Sequence, residues 1–132
     1  ADARAVIGAK GVIDEPAAIA PWLSDWRGRI HGRSAAILAP ASTDEVAAIV
    51  RLAGTHGVAL VPQGGNSGMC AGATPPADGS ALLLSLRRLN RIRRIDSAAR
   101  VAVAEAGVVL QTLHEAVAAE ALRFPLTLGA KG

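Results

Sequence analysis

The chain has 132 residues, of which 51% are hydrophobic and 19% charged, with a formal net charge of +3. This composition excludes a disordered chain and predicts one small globular domain. No apolar run reaches the roughly 18 residues of a transmembrane helix, and the first residues show no signal-peptide pattern. A single cysteine, Cys70, excludes an internal disulfide framework, so we expect a cytoplasmic protein.

The opening residues predict a lead-in segment, residues 1–24, with helical stretches near its start and around 16–23. The next element is Ala35–Ala39, a short apolar run that ends at Pro40. Short apolar runs bounded by turn residues are typical of buried strands. We therefore expect the first strand of a sheet at Ala35–Ala39.

A helix and a second strand follow. Ser42 with Glu45 three residues later forms a capping-box pattern, which predicts a helix start. Apolar residues then recur at helical spacing on one face, namely Val46, Ile49, Val50 and Ala53. Val58–Val61 follows as a buried strand. The order strand, helix, strand predicts a β-α-β unit with parallel strands.

The second half predicts three more strands and a second helix. The strands are expected at Ala81–Leu86, at Arg91–Asp96 with an exposed face, and at Arg100–Gly107. The helix is expected at Val109–Ala121, and an irregular end follows it. Together the elements predict an α/β fold, with a small β-α-β parallel sheet, added strands and flanking helices.

The most informative stretch is Gly64–Gly72, which holds four glycines in nine positions at the end of the second strand. Glycines remove Cβ atoms where a backbone must approach a ligand closely. Such a loop can point many N–H groups into one concavity, which suits a phosphate or pyrophosphate. Ligands of parallel sheets bind at this strand edge. The alternative is a glycine-rich surface turn without a ligand.

Two common phosphate-binding motifs are excluded. A Walker loop needs a Gly-Lys-Ser/Thr ending, and no lysine lies between Gly11 and Gly129. A Rossmann loop needs glycines at i, i+2 and i+5 and an immediate helix. Here Pro75–Gly79 follows, which predicts a turn. Any phosphate would therefore be held by loop amides without a helix dipole.

Three stretches resemble one known family. Val61–Met69 (VPQGGNSGM) resembles the first flavin-phosphate loop of the FAD-linked oxidases, which have the vanillyl-alcohol-oxidase (PCMH) type of FAD-binding domain. Asp25–Gly28 with Ala39–Val46 resembles its first strand and helix, and Pro125–Gly132 resembles the run into its second flavin loop. Within that family, the residues of this loop are most similar to those of the D-2-hydroxyglutarate and D-lactate dehydrogenase group. The resemblance covers residues 25–132.

The resemblance implies FAD as cofactor and a set of cofactor-binding residues. These are Pro62, Gln63, Gly64, Gly65, Asn66, Ser67, Gly68, Met69 and Gly72 in the first loop, and Pro125, Leu128, Gly129 and Gly132 in the second. Some relatives place a flavin-linked histidine where Asn66 stands, so non-covalent FAD is implied. Ala71 and Ala73 depart from the family's usual glycine and serine.

The resemblance also implies an activity. The chain would be the N-terminal part of an FAD-dependent enzyme that oxidises a D-2-hydroxy acid to the 2-oxo acid and passes electrons to an acceptor. The catalytic base and any divalent metal site would lie in a missing C-terminal part. We therefore name no catalytic or metal-binding residue here and expect the 132 residues alone to be inactive. An unpaired sheet edge would permit a homodimer.

The rival interpretation is a non-catalytic module that binds nucleotides or polyanions. It uses the glycine loop and the Arg87–Arg94 stretch, which has five arginines in eight positions. No aromatic platform for bases accompanies these arginines, so we expect no nucleic-acid partner and a solvated or ion-paired face instead. Gly107 is expected either near the cofactor or in a plain turn, and Cys70 as a buried apolar residue.

Overall fold

The described part of the chain folds into a four-stranded mixed sheet, a two-stranded sheet and four helices. The computed structural model describes residues 2–129, so Gly132 of the predicted second flavin loop lies outside the described residues. Two 3-10 turns, Ala9–Gly11 and Ala20–Trp22, accompany the main elements. Those elements, in chain order, are α1 Asp2–Ile7, β1 Val12–Ile13, α2 Pro16–Ile19, β2 Ile37–Leu38, α3 Thr43–His56, β3 Ala59–Gln63, β4 Ala81–Ser85, β5 Ile92–Asp96, β6 Val101–Ala104 and α4 Leu110–Ala119.

The larger sheet has the strand order β1-β2-β4-β3. β2 and β3 both pair with β4 in parallel, which confirms the predicted parallel strands, and β1 pairs antiparallel with β2. β4 lies between the two strands of the β-α-β unit because its apolar residues are buried on both faces. β3 is an edge strand and only partly buried, so its predicted burial was wrong.

Helix α3 begins as the capping pattern predicts. The Ser42 hydroxyl accepts a hydrogen bond from the Glu45 N–H at 3.1 Å, and the Glu45 carboxylate accepts one from the Ala41 N–H at 2.7 Å. Ile49 is the buried centre of the apolar face, in the cluster with Ile7, Leu38 and Leu84. Val50 is 50% exposed, so its predicted core position was wrong. It lies at the margin of the apolar stripe.

The two-stranded sheet pairs β5 with β6 in antiparallel fashion. The arginines of β5 are exposed, as predicted, and Ile92 and Ile95 are partly buried. Every residue of β6 is exposed. This sheet therefore has an apolar strand, with Val101 and Val103, that the described residues do not cover.

Glu105 joins the end of β6 to the start of β5. Its carboxylate is buried and accepts hydrogen bonds from the Arg91 backbone N–H at 2.9 Å and from the Arg91 and Arg93 guanidinium groups at 3.0 and 3.2 Å. These donors, led by the Arg91 side chain, lower the pKa of Glu105 from 4.5 to about 2. The carboxylate therefore stays ionised in the folded protein well below neutral pH.

Gly107 follows Glu105 at a close crossing of two chain segments. Its N–H donates to the Leu89 carbonyl at 2.8 Å. A Cβ added there would lie 2.2 Å from the Leu86 carbonyl oxygen and 2.9 Å from the Arg87 Cα. Backbone atoms of this chain therefore require glycine at position 107. The expected plain turn is enough to explain this glycine, without a nearby cofactor.

The first prediction concerns acid stability. Because the folded-state pKa of Glu105 is lowered, its stabilising contribution is present above pH 4.5 and is lost as the pH falls toward about 2. Glu105→Gln should lower the unfolding temperature at neutral pH and flatten its fall across that window. Glu15→Gln, at an exposed glutamate, should keep the wild-type slope. Equal slopes for all three proteins, measured by circular dichroism on the protein from its full reading frame, would contradict this role.

The second prediction compares two glycines. Gly107→Ala should lower the free energy of unfolding by ~1–3 kcal/mol, since the methyl group meets backbone atoms that cannot move independently. Gly54→Ala in α3, where an added Cβ meets nothing within 4 Å, should raise it by roughly 0.5–1 kcal/mol through helix propensity. Denaturant unfolding measures both, and a tolerated Gly107→Ala would show that the crossing can relax.

Candidate functional site

The glycine loop begins where β3 leaves the sheet. β3 pairs with β4 over five residue pairs, from Ala59 with Ala81 to Gln63 with Ser85. The Leu86 N–H then donates to the Gln63 carbonyl at 3.0 Å. The loop therefore starts at the carboxyl edge of two parallel strands, which is the edge that ligands of such sheets use.

The backbone N–H groups of this loop lack hydrogen-bond partners among residues 2–129. Within the described part of the chain, none of the N–H groups of residues 64–73 donates a hydrogen bond to another protein group. The Thr74 N–H donates to the Ala71 carbonyl at 3.0 Å and closes the loop's far end. A row of amides without protein partners needs water or an anion to satisfy it.

The glycines of the loop are not explained by the chain itself. An added Cβ at Gly64, Gly65, Gly68 or Gly72 would meet no atom within 4 Å, and none of the four has a positive φ. The loop's left-handed residues are instead Asn66, at φ 53°, and Ala71, at φ 56°. The missing Cβ atoms therefore leave room for something that approaches the backbone from outside.

Ala71 is the position where the family usually has glycine. Its positive φ carries a cost, because a side chain in the left-handed region costs roughly 1–2 kcal/mol that glycine avoids. Cys70 beside it is exposed, so its predicted burial was wrong. Met69 and Gly72 on either side of this pair are exposed as well.

A cavity of about 320 Å³ lies between the loop and the segment that precedes β2. Its lining residues are Pro21, Trp22, Ser24, Asp25, Trp26, Gly65 and Asn66. Trp22 and Ser24 belong to the segment that the sequence predicted as a mere lead-in. No periodicity or motif links them to a loop some forty residues away, so sequence reasoning missed them.

Asp25 shapes one wall of this cavity. Its buried carboxylate accepts hydrogen bonds from the backbone N–H groups of Arg29 and Ile30, both at 2.7 Å, and of Arg27 at 3.3 Å. These bonds, with the Ile30 N–H as the largest cause, lower the pKa of Asp25 below its ordinary value. The carboxylate fixes the turn after Asp25 and has its charge satisfied there.

Two side-chain amides connect the loop to the same segment. Gln63 is 2% exposed, and its Nε2 donates to the carbonyls of Trp22 at 3.0 Å and Ala73 at 2.9 Å. The Asn66 Nδ2 donates to the Ser24 carbonyl at 2.8 Å. Of the other predicted first-loop residues, Pro62, Ser67, Gly68 and Met69 are exposed.

The predicted second group lies in the irregular segment after α4. Pro125, Leu128 and Gly129 are exposed there. His114 of α4 holds the segment, because its Nε2 lies 2.9 Å from the Leu126 carbonyl and its ring packs 5.9 Å from that of Phe124. Within residues 2–129, no hydrogen bond joins this segment to the glycine loop.

The arginine-rich stretch is engaged by the protein itself. Arg91 and Arg93 pair with Glu105, and Arg94 lies 3.5 Å from Asp96. The other two arginines bind nearby groups: Arg87 lies 4.9 Å over the Trp22 ring, and Arg88 donates to the Ala39 carbonyl at 2.7 Å. Arg91, Arg93 and Arg94 are therefore ion-paired, in agreement with the predicted ion-paired face, and their side chains remain half or more exposed.

Three further features bear on function: the histidine at the end of α3, possible metal-binding groups and possible membrane-spanning helices. His56 lies in the last turn of α3 and contacts the Asp2 carboxylate at 3.2 Å. Among residues 2–129, no group of three histidine, cysteine or acidic side chains is placed to hold a metal ion. No helix in that range is long and apolar enough to cross a membrane.

Comparisons with known proteins agree with the geometry. Residues 34–132 match the model of a family described as FAD binding domain. The chain is 38% identical to D-2-hydroxyglutarate dehydrogenase, mitochondrial, of Bos taurus, over 92% of this chain and 22% of that protein. It is 34% identical to the probable D-2-hydroxyglutarate dehydrogenase, mitochondrial, of Oryza sativa subsp. indica, over 98% and 23%. It is 32% identical to a putative mitochondrial D-lactate dehydrogenase of Schizosaccharomyces pombe, over 98% and 26%.

The chain thus spans about a quarter of the length of these relatives. Because their names say mitochondrial, the cytoplasmic location stays a prediction.

Solved structures show the same fold. Alkyldihydroxyacetonephosphate synthase superposes with a TM-score of 0.86 at 18% identity, over 98% of this chain and 26% of that one. The p-cresol methylhydroxylase structure gives 0.77 at 21%, over 91% and 24%. The 4-ethylphenol oxidase of Gulosibacter chungangensis gives 0.75 at 30%, over 90% and 23%. The chain therefore belongs to the FAD binding domain family, with the PCMH type of fold and FAD as its cofactor.

Proposed function

We propose that this chain is the N-terminal part of the FAD-binding domain of a dehydrogenase that oxidises a D-2-hydroxy acid to the 2-oxo acid. Its relatives at 32–38% identity are named D-2-hydroxyglutarate and D-lactate dehydrogenases. Within that group the substrate is D-2-hydroxyglutarate, D-lactate or a related acid. The rest of the FAD domain, the substrate domain and the contact with an electron acceptor belong to chain beyond these 132 residues.

One observation supports this proposal more than any other. The loop of residues 64–73 presents a row of backbone N–H groups without protein partners, at the carboxyl edge of parallel strands. The same loop has glycines whose missing Cβ atoms no contact among residues 2–129 requires. The pyrophosphate of FAD needs closely spaced donors and close backbone approach, and this loop offers both.

The proposed roles follow from the chemistry of each group. Gly64, Gly65, Gly68 and Gly72 bind the phosphates through backbone amides, and Ser67 adds an exposed hydroxyl donor. Pro62 and Met69 flank these amides. Pro125, Leu128 and Gly129, in the segment that His114 contacts, face the flavin with their backbone. Gly132, the fourth predicted member of this second group, lies outside the described residues.

The cofactor is proposed to be held without a covalent bond. Asn66 has no nucleophilic atom that could attach to a flavin, and its amide nitrogen already donates to the Ser24 carbonyl. When bound, FAD supplies the chemistry of the reaction by accepting a hydride from the carbon that bears the hydroxyl group. This chain's share is to bind and orient the cofactor. The base, the anion-binding residues and any divalent metal ligands lie outside it.

The polyanion-binding alternative is weaker. It depends on the arginine-rich stretch, and all five of its arginines contact groups of this protein.

A homodimer remains a proposal that concerns the sheet edges. β3 is an edge strand and β6 is exposed along its length, so either could pair with a second copy or with further chain.

The third prediction tests the loop's glycines. Gly65→Ala should raise the Kd for FAD about tenfold or more, because the added methyl occupies space reserved for the phosphates. It should leave the unfolding temperature nearly unchanged, since that methyl meets no protein atom within 4 Å. Gly54→Ala, with equally open surroundings, is the matched control and should keep the wild-type Kd. Both are measured by titrating FAD into the deflavinated protein from its full reading frame.

A wild-type Kd for Gly65→Ala would contradict the proposed binding of phosphates by this loop.

The proposed reaction is tested on the same full-length protein under anaerobic conditions. Mixing with D-2-hydroxyglutarate, D-lactate or glycolate should bleach the flavin absorbance, and the L enantiomers should not. Flavin that dithionite reduces but no D-2-hydroxy acid bleaches would exclude the proposed substrate class.

A further inference from the structure

We propose that the side-chain amide of Gln63 is a positioning group, which sets the shape of the phosphate-binding loop from inside the protein and does not touch the cofactor. The family resemblance places Gln63 among the FAD-binding residues. The structure separates its backbone, at the loop's start, from its side chain, which points into the protein. This inference rests on the proposed FAD site and assigns a role that the site alone does not require.

Burial leaves very little of this side chain open to a ligand. Gln63 is the last residue of β3 and is 2% exposed, whereas Gly65 and residues 67–70 of the loop are exposed. Burying an amide without hydrogen bonds would be costly. The Gln63 Nε2 therefore donates both of its hydrogens within the protein, to the carbonyls of Trp22 and Ala73.

These two partners fix the orientation of the amide. Both are carbonyl oxygens, which only accept hydrogen bonds, so the NH₂ end of Gln63 must face them. Trp22 lies 41 residues away in sequence and Ala73 lies 10 residues away. One side chain thus joins the end of β3, the far end of the loop and the segment before β2.

Asn66 makes a second connection to that segment. Its backbone lies in the left-handed region, and its Nδ2 donates to the Ser24 carbonyl. Within residues 2–129, only three hydrogen bonds involve residues 64–73: this one, the Gln63 bond to Ala73, and the bond from the Thr74 N–H to Ala71. The loop's shape therefore depends on the two amides to an unusual degree.

This dependence has a consequence for binding. A loop whose own amides are free must be held in its binding shape by other groups, or binding must supply the ordering free energy. Gln63 holds the two ends of the loop together beneath the proposed phosphate site. Losing its amide should weaken FAD binding although no contact with FAD is removed.

The test uses two variants of the protein from its full reading frame. Gln63→Met keeps the length of the side chain and removes both donors. Gln63→Glu places a carboxylate against two carbonyl oxygens. Loss of two hydrogen bonds should raise the Kd for FAD about tenfold or more in both variants at about pH 8. The visible spectrum of the bound flavin should shift as its surroundings loosen.

The pH dependence identifies the donor role. As the pH falls to about 5.5, the buried carboxyl of Gln63→Glu becomes neutral and can donate to one of the two carbonyls. Its Kd should then recover several-fold relative to the wild type, and that of Gln63→Met should not. Asn90→Asp makes the corresponding change from amide to carboxylate at an exposed position between β4 and β5 and should keep the wild-type Kd throughout.

The outcomes separate this inference from the proposed function. A wild-type protein that binds no FAD would overturn the proposed function itself. A wild-type protein that binds FAD, with both Gln63 variants binding equally well, would overturn the positioning role. Variants that lose their far-ultraviolet circular dichroism would also overturn it, because Gln63 would then be a requirement of the fold.

Discussion

The parallel pairing of β3 with β4 is the constraint on which the rest of the structure depends. Five residue pairs fix the register, and they bring the end of β3 to the same edge as the end of β4. β4 can take this central place because its apolar residues are covered on both faces. The glycine loop then leaves the sheet at this edge.

The loop itself contributes little to holding its own shape. Its N–H groups have no partners in the described residues, and two side-chain amides connect it to the segment before β2. That segment is fixed in turn by the Asp25 carboxylate, which satisfies three backbone N–H groups. Polar side chains of neighbouring segments therefore support a loop whose own N–H groups have no protein partner among residues 2–129.

Local sequence patterns predicted much of the fold and of the loop, but they could not predict contacts between residues far apart in sequence. The Ser42 cap, the parallel strands and the glycine loop could be read from residues close in sequence. The insertion of β4 between β2 and β3 could not, because strand order is decided by burial across the whole sheet. Likewise Gln63 was read as part of a binding motif, whereas its partners 10 and 41 residues away turn its side chain inward.

The most direct test of the central claim is a visible absorption spectrum of the protein expressed from its full reading frame, before and after acid precipitation. A glycine loop that binds FAD without a covalent bond predicts a flavin spectrum that moves into the supernatant. Flavin that stays in the pellet would contradict the role given to Asn66. A protein that carries no flavin and takes up none when FAD is added would contradict the account of the loop itself.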